Sequence, residues 1–308
     1  MRRYQKLLVG LSVDDSGQAL SAGSRRAVEE ALWLAGRSGG TVTLFHALGD
    51  EESGATAVGA EVEGSEAERI APAPVAQFAA EMRARHPELG FAVASGPAWV
   101  AISRRVLRGQ ADFVVVAKRN ALGAASRRLG TVAARLVRAC PSPVWVVHGG
   151  RPFPHKNVLA ATALEPVGEL ATQLGAWFAD EMDANLELVH AWQMPMELEM
   201  QRASLSSAEF QMRVQAITES AAAQVRAGLG GYKPKRAPKL HVGCDAPSRA
   251  ILELVERYSV DLLVLGTIGR GGLSGALIGN TAERLLHEVD CSLLTVKPDG
   301  FVSPVTLD

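Results

Sequence analysis

Gly266, Gly269 and Gly279, the last followed by Asn280-Thr281, form the cluster in this chain whose types and spacing best suit chemistry. The apolar run Val260-Asp261-Leu262-Leu263-Val264-Leu265 stops at the first of these glycines, and Ala282-Glu283-Arg284-Leu285-Leu286 begins an amphipathic segment after the last. That order predicts a buried strand whose C-terminal end opens, through a glycine loop, into a helix N-terminus. Glycines let backbone approach a ligand closely, and the free N–H groups and positive end of a helix favour an anion. The chemistry expected is therefore the cradling of phosphate. An architectural use stands beside it: Asn280 with Glu283 makes an Asn-x-x-Glu capping box, and Gly266 and Gly269 could simply turn the chain.

Covalent chemistry has little to work with. No G-x4-G-K-[ST] loop occurs, and Arg270 and Glu283 are the one cation and the one acid at the glycine loop, too few for fast phosphoryl transfer. No catalytic residue is assigned, and hydrolysis of a bound phosphate compound is at most a slow by-product of binding. His46 and His190 end equivalent strands and read as polar residues bonded to backbone. The other histidines lack ligand spacing, so no metal site is expected. Trp33 and Trp177 read as core, and Cys244 as an inert thiol before a helix start at Asp245-Ala246-Pro247.

The elements that must hold the loop occur twice. Trp33 and His46 recur as Trp177 and His190, displaced by 144 positions. Further on the displacement is 149: Asp112 to Val116 matches Asp261 to Leu265, and Leu129 to Leu136 matches Ile278 to Leu285. The chain is a duplicated domain with a join in Gly149-Gly150-Arg151-Pro152-Phe153-Pro154-His155, which gives domains 1–150 and 151–308. In each half, short apolar runs alternate with helical patterns, the mark of βαβ units and a parallel sheet. Strands are expected near Lys6–Ser12, Thr41–Ala47, Gly90–Ala94, Asp112–Ala117 and Pro143–His148. In the second half they fall near Asn157–Thr162, Leu186–Trp192, Lys239–Gly243, Asp261–Leu265 and Ser292–Lys297. Ser206-Ser207-Ala208-Glu209 is a capping box that starts a helix ended by Gly228 to Gly231, and Asp50 to Glu68 reads as a mobile acidic loop.

Bulk properties limit the partners. At 308 residues with 47% hydrophobic content there is enough apolar material for two cores, and a net charge of −1 gives no field for nucleic acid. No run approaches the roughly 20 apolar residues of a membrane span, and the N-terminal segment reads as a first strand, not an export signal. Cys140, Cys244 and Cys291 lack C-x2-C spacing, which fits reduced thiols in a cytoplasmic protein.

Taken together, the Gly-Asn-Thr-Ala-Glu loop at residues 279–283, Lys297-Pro298 after the last strand, Cys140-Pro141-Ser142-Pro143-Val144-Trp145 and the duplication resemble a tandem universal stress protein, most like the E type. The resemblance implies two doubly wound, Rossmann-like α/β domains, each a five-stranded parallel sheet in order 3-2-1-4-5, with ligand at the switch between strands 1 and 4. It implies ATP or a related nucleotide as ligand, with Mg²⁺ as its companion, held by Thr162, Ala191, Gly266, Gly269, Gly279, Asn280 and Thr281. Thr162 departs from the family's aspartate, and Asn280 from its usual Ser or Thr. The first half departs further: Ser12 stands at the aspartate position and Ala117-Lys118-Arg119-Asn120 replaces the glycines, which implies a structural domain, with Lys118, Arg119, Arg127 and Arg128 as a solvated basic loop. In the family, domains associate through fifth strands, so the two halves should form a pseudo-dimer within one chain, with a homodimer of the whole chain left open. The expected function is a stress-response protein that binds nucleotide in its C-terminal half. The alternative is a nucleotide-independent scaffold for partner proteins or a hydrophobic metabolite. A dinucleotide oxidoreductase is disfavoured, because no G-x-G-x-x-G follows either first strand.

Overall fold

A computed structural model describes residues 4–49, 59, 61–118, 129–202, 204–267 and 278–307. Its centre is an eleven-stranded sheet in the order β3-β4-β2-β1-β5-β6-β11-β10-β7-β8-β9. In the first half the strands are β1 (Lys6–Gly10), β2 (Thr41–Leu48), β3 (Val62–Glu63), β4 (Gly90–Ser95), β5 (Phe113–Ala117) and β6 (Val144–Val147). In the second they are β7 (Asn157–Ala161), β8 (Asn185–Trp192), β9 (Lys239–Cys244), β10 (Leu262–Gly266) and β11 (Ser292–Val296). The first strand of each half lies between two parallel neighbours, β1 between β2 and β5 and β7 between β8 and β10.

Side-chain alternation on β1 shows why these runs became strands. Leu7 and Val9 enter the core on one face of the sheet and Leu8 the core on the other, all fully or almost fully buried. Strands covered on both faces need continuous apolar sequence, which is what β5, β10 and β11 supply. Helices α1 (Ala22–Ser38), α3 (Ala73–Arg85) and α6 (Pro166–Met182) cover one face, and α4 (Ala98–Leu107), α5 (Thr131–Ala139), α9 (Pro247–Arg257) and α10 (Asn280–Glu288) the other. Asp112 and Asp261, matched in the repeat, do the same work: each accepts from the amides at the start of its half's first strand, Gln5 and Lys6 in one case and Lys156 and Asn157 in the other.

The halves join edge to edge. β6 and β11 pair antiparallel, with Leu294 opposite Trp145 and Thr295 opposite Val144. Trp145 is fully buried and packs against Phe113 of the first half, Phe153 of the connection and Phe178 of the second half. The repeated tryptophans Trp33 and Trp177 meet each other, ring centres 6.4 Å apart, and one helical turn on Arg37 Nη1 donates to Glu181 Oε2 at 3.0 Å. The end of the chain returns to the first half, where Val305 packs against Val100 and Ala139 and Arg104 Nε donates to Thr306 O at 2.8 Å.

The expectation of a loop over Asp50 to Glu68 needs correction. Gly64 to Glu68 are not loop but the start of α2 (Gly64–Ile70), and Val62–Glu63 adds the edge strand β3, antiparallel to β4. Residues 50–58 and 60 of that segment lie outside the described ones. Between β8 and β9 stand α7 (Met196–Gln201) and α8 (Ser207–Ala227), the latter with the expected reciprocal Ser206–Glu209 box.

Candidate functional site

The glycine loop leaves β10 at the carboxyl edge of the sheet, beside the end of β7, where the strand order reverses. A crevice outside the strand ends at this point is the general ligand position of doubly wound sheets. Thr162, Ala191, Gly266, Gly279, Asn280 and Thr281 are all placed around the ends of β7, β8 and β10 and the start of α10. Gly269 and Arg270 lie outside the described residues, as do Arg119, Arg127 and Arg128 of the first half's loop.

Gly279, not Asn280, is the N-cap of α10, and no side chain caps it. Asn280 is the first helical residue, so the Asn-x-x-Glu capping box is absent: a residue already in the helix cannot turn its amide back onto the helix's own N–H groups. The loop closes through Gly279 N–H to Thr267 O at 2.7 Å, and the ladder starts with Glu283 N–H to Gly279 O at 2.9 Å. The amides of Asn280, Thr281 and Ala282 precede the first helical bond and have no capping side chain. They are the donors that phosphate oxygens would fit. Gly266 has a different cause. A Cβ there would stand 2.9 Å from Val167 Cγ2 on α6, so helix packing alone requires glycine.

The base-contact positions are less well suited. Thr162 Oγ1 accepts from Leu164 N–H at 3.0 Å, which engages the hydroxyl in its own turn. His190 Nδ1 meets Thr162 O at 2.9 Å, and the matched His46 meets Leu11 O at 3.0 Å, so both histidines tie the end of a second strand to the first. Burial holds the His46 imidazole below its usual range and so neutral. Among the described residues no group of three or more His, Cys, Asp or Glu side chains could hold a metal ion. The donor set therefore fits the phosphates of a nucleotide better than its base. Cys140 and Cys291 are buried, whereas Cys244 is exposed.

The first half holds a cavity that the sequence reading did not anticipate. It encloses about 570 Å³ between the ends of β1, β2 and β5. Phe45, Ile102 and Val116 line it together with Ser12, Ser21, His46 and the charged Asp14, Asp15 and Lys118. Ser12, Ser21 and Ser24 bond to one another through their hydroxyls, at 2.9 to 3.2 Å. Gly130, at the uncapped start of α5, lines the opposite side. The sequence signals were present in Gly10, Ser12 and Gly130-Thr131, but the missing loop glycines drew attention away from them.

Known proteins share the duplicated family and the fold. The model of the universal stress protein family matches residues 3–148 and again residues 154–297. Universal stress protein E of Photorhabdus laumondii is 24% identical over 322 residues, covering 99% of this chain and 98% of the relative. Its namesake in Escherichia coli K12 is 29% identical over 191 residues, and the match spans about half of each protein, 56%. A protein of unknown function from Pseudomonas aeruginosa PAO1 shares the fold, with a TM-score of 0.67 at 19% identity over 96% of this chain and 93% of that one.

Proposed function

The chain belongs to the universal stress protein family, a stress-response family, and from that premise we propose that its C-terminal half, residues 151–308, binds ATP or a related nucleotide. The observation that carries this reading is the uncapped N-terminus of α10 at the point where the strand order reverses. Three backbone donors and the positive end of a helix converge there, and no side chain among the described residues competes for them. Mg²⁺ would be held largely by the nucleotide's own phosphates, and hydrolysis would be slow, because Arg270 and Glu283 are the one cation and the one acid that the glycine loop supplies. Residues 1–150 serve as the structural partner, and the cytoplasm is the compartment proposed.

Calorimetric titration of the full chain with ATP tests the reading. Gly279→Asp places a carboxylate against the phosphate seat and should weaken binding by roughly tenfold or more. Equal, tight binding by both proteins would reject the assignment.

One observation favours a second reading, in which the protein acts without nucleotide. The first-half cavity combines an apolar wall of Phe45, Ile102 and Val116 with hydroxyls and the charged Asp14, Asp15 and Lys118, and suits a small metabolite with a hydrophobic body and a polar end. Native mass spectrometry of the purified protein separates the two: a copurifying nucleotide supports the first reading, a non-nucleotide ligand the second.

A further inference from the structure

The N-terminal half grips α10 at both ends. Lys118, buried at the end of β5, donates from Nζ to Val289 O at 2.6 Å, the residue that closes α10. At the other end Arg138, in the last turn of α5, holds Glu283 in a two-point fork: Nε meets Oε2 at 3.2 Å and Nη2 meets Oε1. Its Nη1 donates to Ala134 O at 3.1 Å, which fixes the fork against its own helix. Glu283 belongs to the first turn of α10, the turn that carries the free amides of Asn280 and Thr281. His287 Nε2 stands 3.5 Å from the same carboxylate.

A carboxylate in that turn suits the helix dipole but repels a phosphate seated on it. The first half has no such conflict, because α5 has no acid in its first turn; the position matched to Glu283 is Ala134. Among the described residues, a carboxylate in the first turn and an arginine from the other half occur together at the start of α10 and not at that of α5. The carboxyl of Glu283 is held below its usual range chiefly by the hydrogen bond from Arg138, so it is ionised when a nucleotide would arrive.

We propose that Arg138 is a positioning residue for the nucleotide site of the opposite half, neutralising Glu283 and holding it aside so that phosphate can occupy the start of α10. The inference rests on the nucleotide reading above. It makes the first half a contributor to the second half's affinity, although it touches no ligand there.

The test is ATP titration of four full-length proteins: wild type, Arg138→Ala, Glu283→Gln and the double variant, each first checked for unchanged thermal unfolding without ligand. Arg138→Ala should weaken ATP binding about three- to tenfold, and Glu283→Gln should bind at least as tightly as wild type. The double variant should return to within about twofold of Glu283→Gln, the coupling expected when one charge acts only through the other. Arg138→Lys, which keeps the charge but loses the fork, should fall between. A double variant as weak as Arg138→Ala would show a packing role and overturn the proposal, as would Arg138→Ala binding like wild type. Absence of ATP binding by the wild type would instead reject the nucleotide reading itself.

Discussion

Glu30 and His155 form a buried pair that no local pattern announces. Glu30 lies in the middle of α1 and His155 in the connection between halves, both fully buried, with Glu30 Oε2 3.9 Å from His155 Nε2. Desolvation pushes the Glu30 carboxyl up to about 8, against a partial opposing pull from Arg26, and desolvation lowers the imidazole to about 4. Both groups are therefore neutral at neutral pH. A carboxyl whose folded value is raised contributes stability that is present below its unfolded value, 4.5, and is lost as pH rises towards about 8. His155 acts in the opposite window, with stability present above 6.5 and lost as pH falls towards about 4. Glu30→Gln should consequently change little at pH 4.5 and stabilise the protein increasingly up to pH 8, by on the order of 3 kcal/mol, read as a widening gap in unfolding temperature. A gap that stays constant with pH would show that Glu30 is ionised in the fold. The sequence alone could not place this pair, because the two residues are distant in the chain and Glu30 beside Glu29 looks like part of a solvated helix face. The same limit applied to Gly266, which was legible as a loop glycine while the contact that requires it, Val167, comes from another element.

At the scale of elements, what is regular in sequence is regular in space. Helix α8 begins where its Ser206–Glu209 box says it should, with Ser206 Oγ accepting from Glu209 N–H at 3.2 Å and the Glu209 carboxylate accepting from Ser206 N–H at 2.9 Å. Ser206→Ala removes about 1 kcal/mol of local stability, so amide exchange in the first turn of α8 should accelerate about fivefold while that of β8 stays unchanged. Equal exchange in both proteins would mean that packing, not the cap, holds the helix start. The central strands β5 and β10 were legible because burial on both faces demands unbroken apolar runs. Strand β3 was not, since two residues have no period, and α2 was hidden by its Ala- and Glu-rich neighbourhood. The start of α10 was legible as a helix but misread in its cap, where Gly279 outcompeted Asn280 by ending the loop one residue earlier.

The whole molecule behaves as one body built from two similar parts. Strands β6 and β11 remove each other's exposed edge, and the indole of Trp145 is shared by the first half, the connection and the second half. Trp145→Ala should cost about 3–5 kcal/mol and, because the lost contacts are those that couple the halves, should split calorimetric unfolding into two transitions. A single transition at lowered temperature would place the cooperativity elsewhere. The duplication itself was readable from matched residues, but which of them face one another was not. Displacement in sequence fixes equivalence, and only the antiparallel junction fixes proximity.

Arg37 and Glu181 are such a facing pair, and they are 144 positions apart, the displacement that also relates Trp33 to Trp177. In an assembly of two identical copies, a residue at this place would confront its own twin, and a charged one would be repelled. Fusion into one gene lifted that prohibition: each copy could acquire the opposite sign, and symmetry that once forced self-repulsion became attraction. Arg138, whose carboxylate partner Glu283 corresponds to Ala134 in the first half, carries the same freedom further. Covalent joining thus lets the two sisters differ at matched places without ever having to find each other in solution.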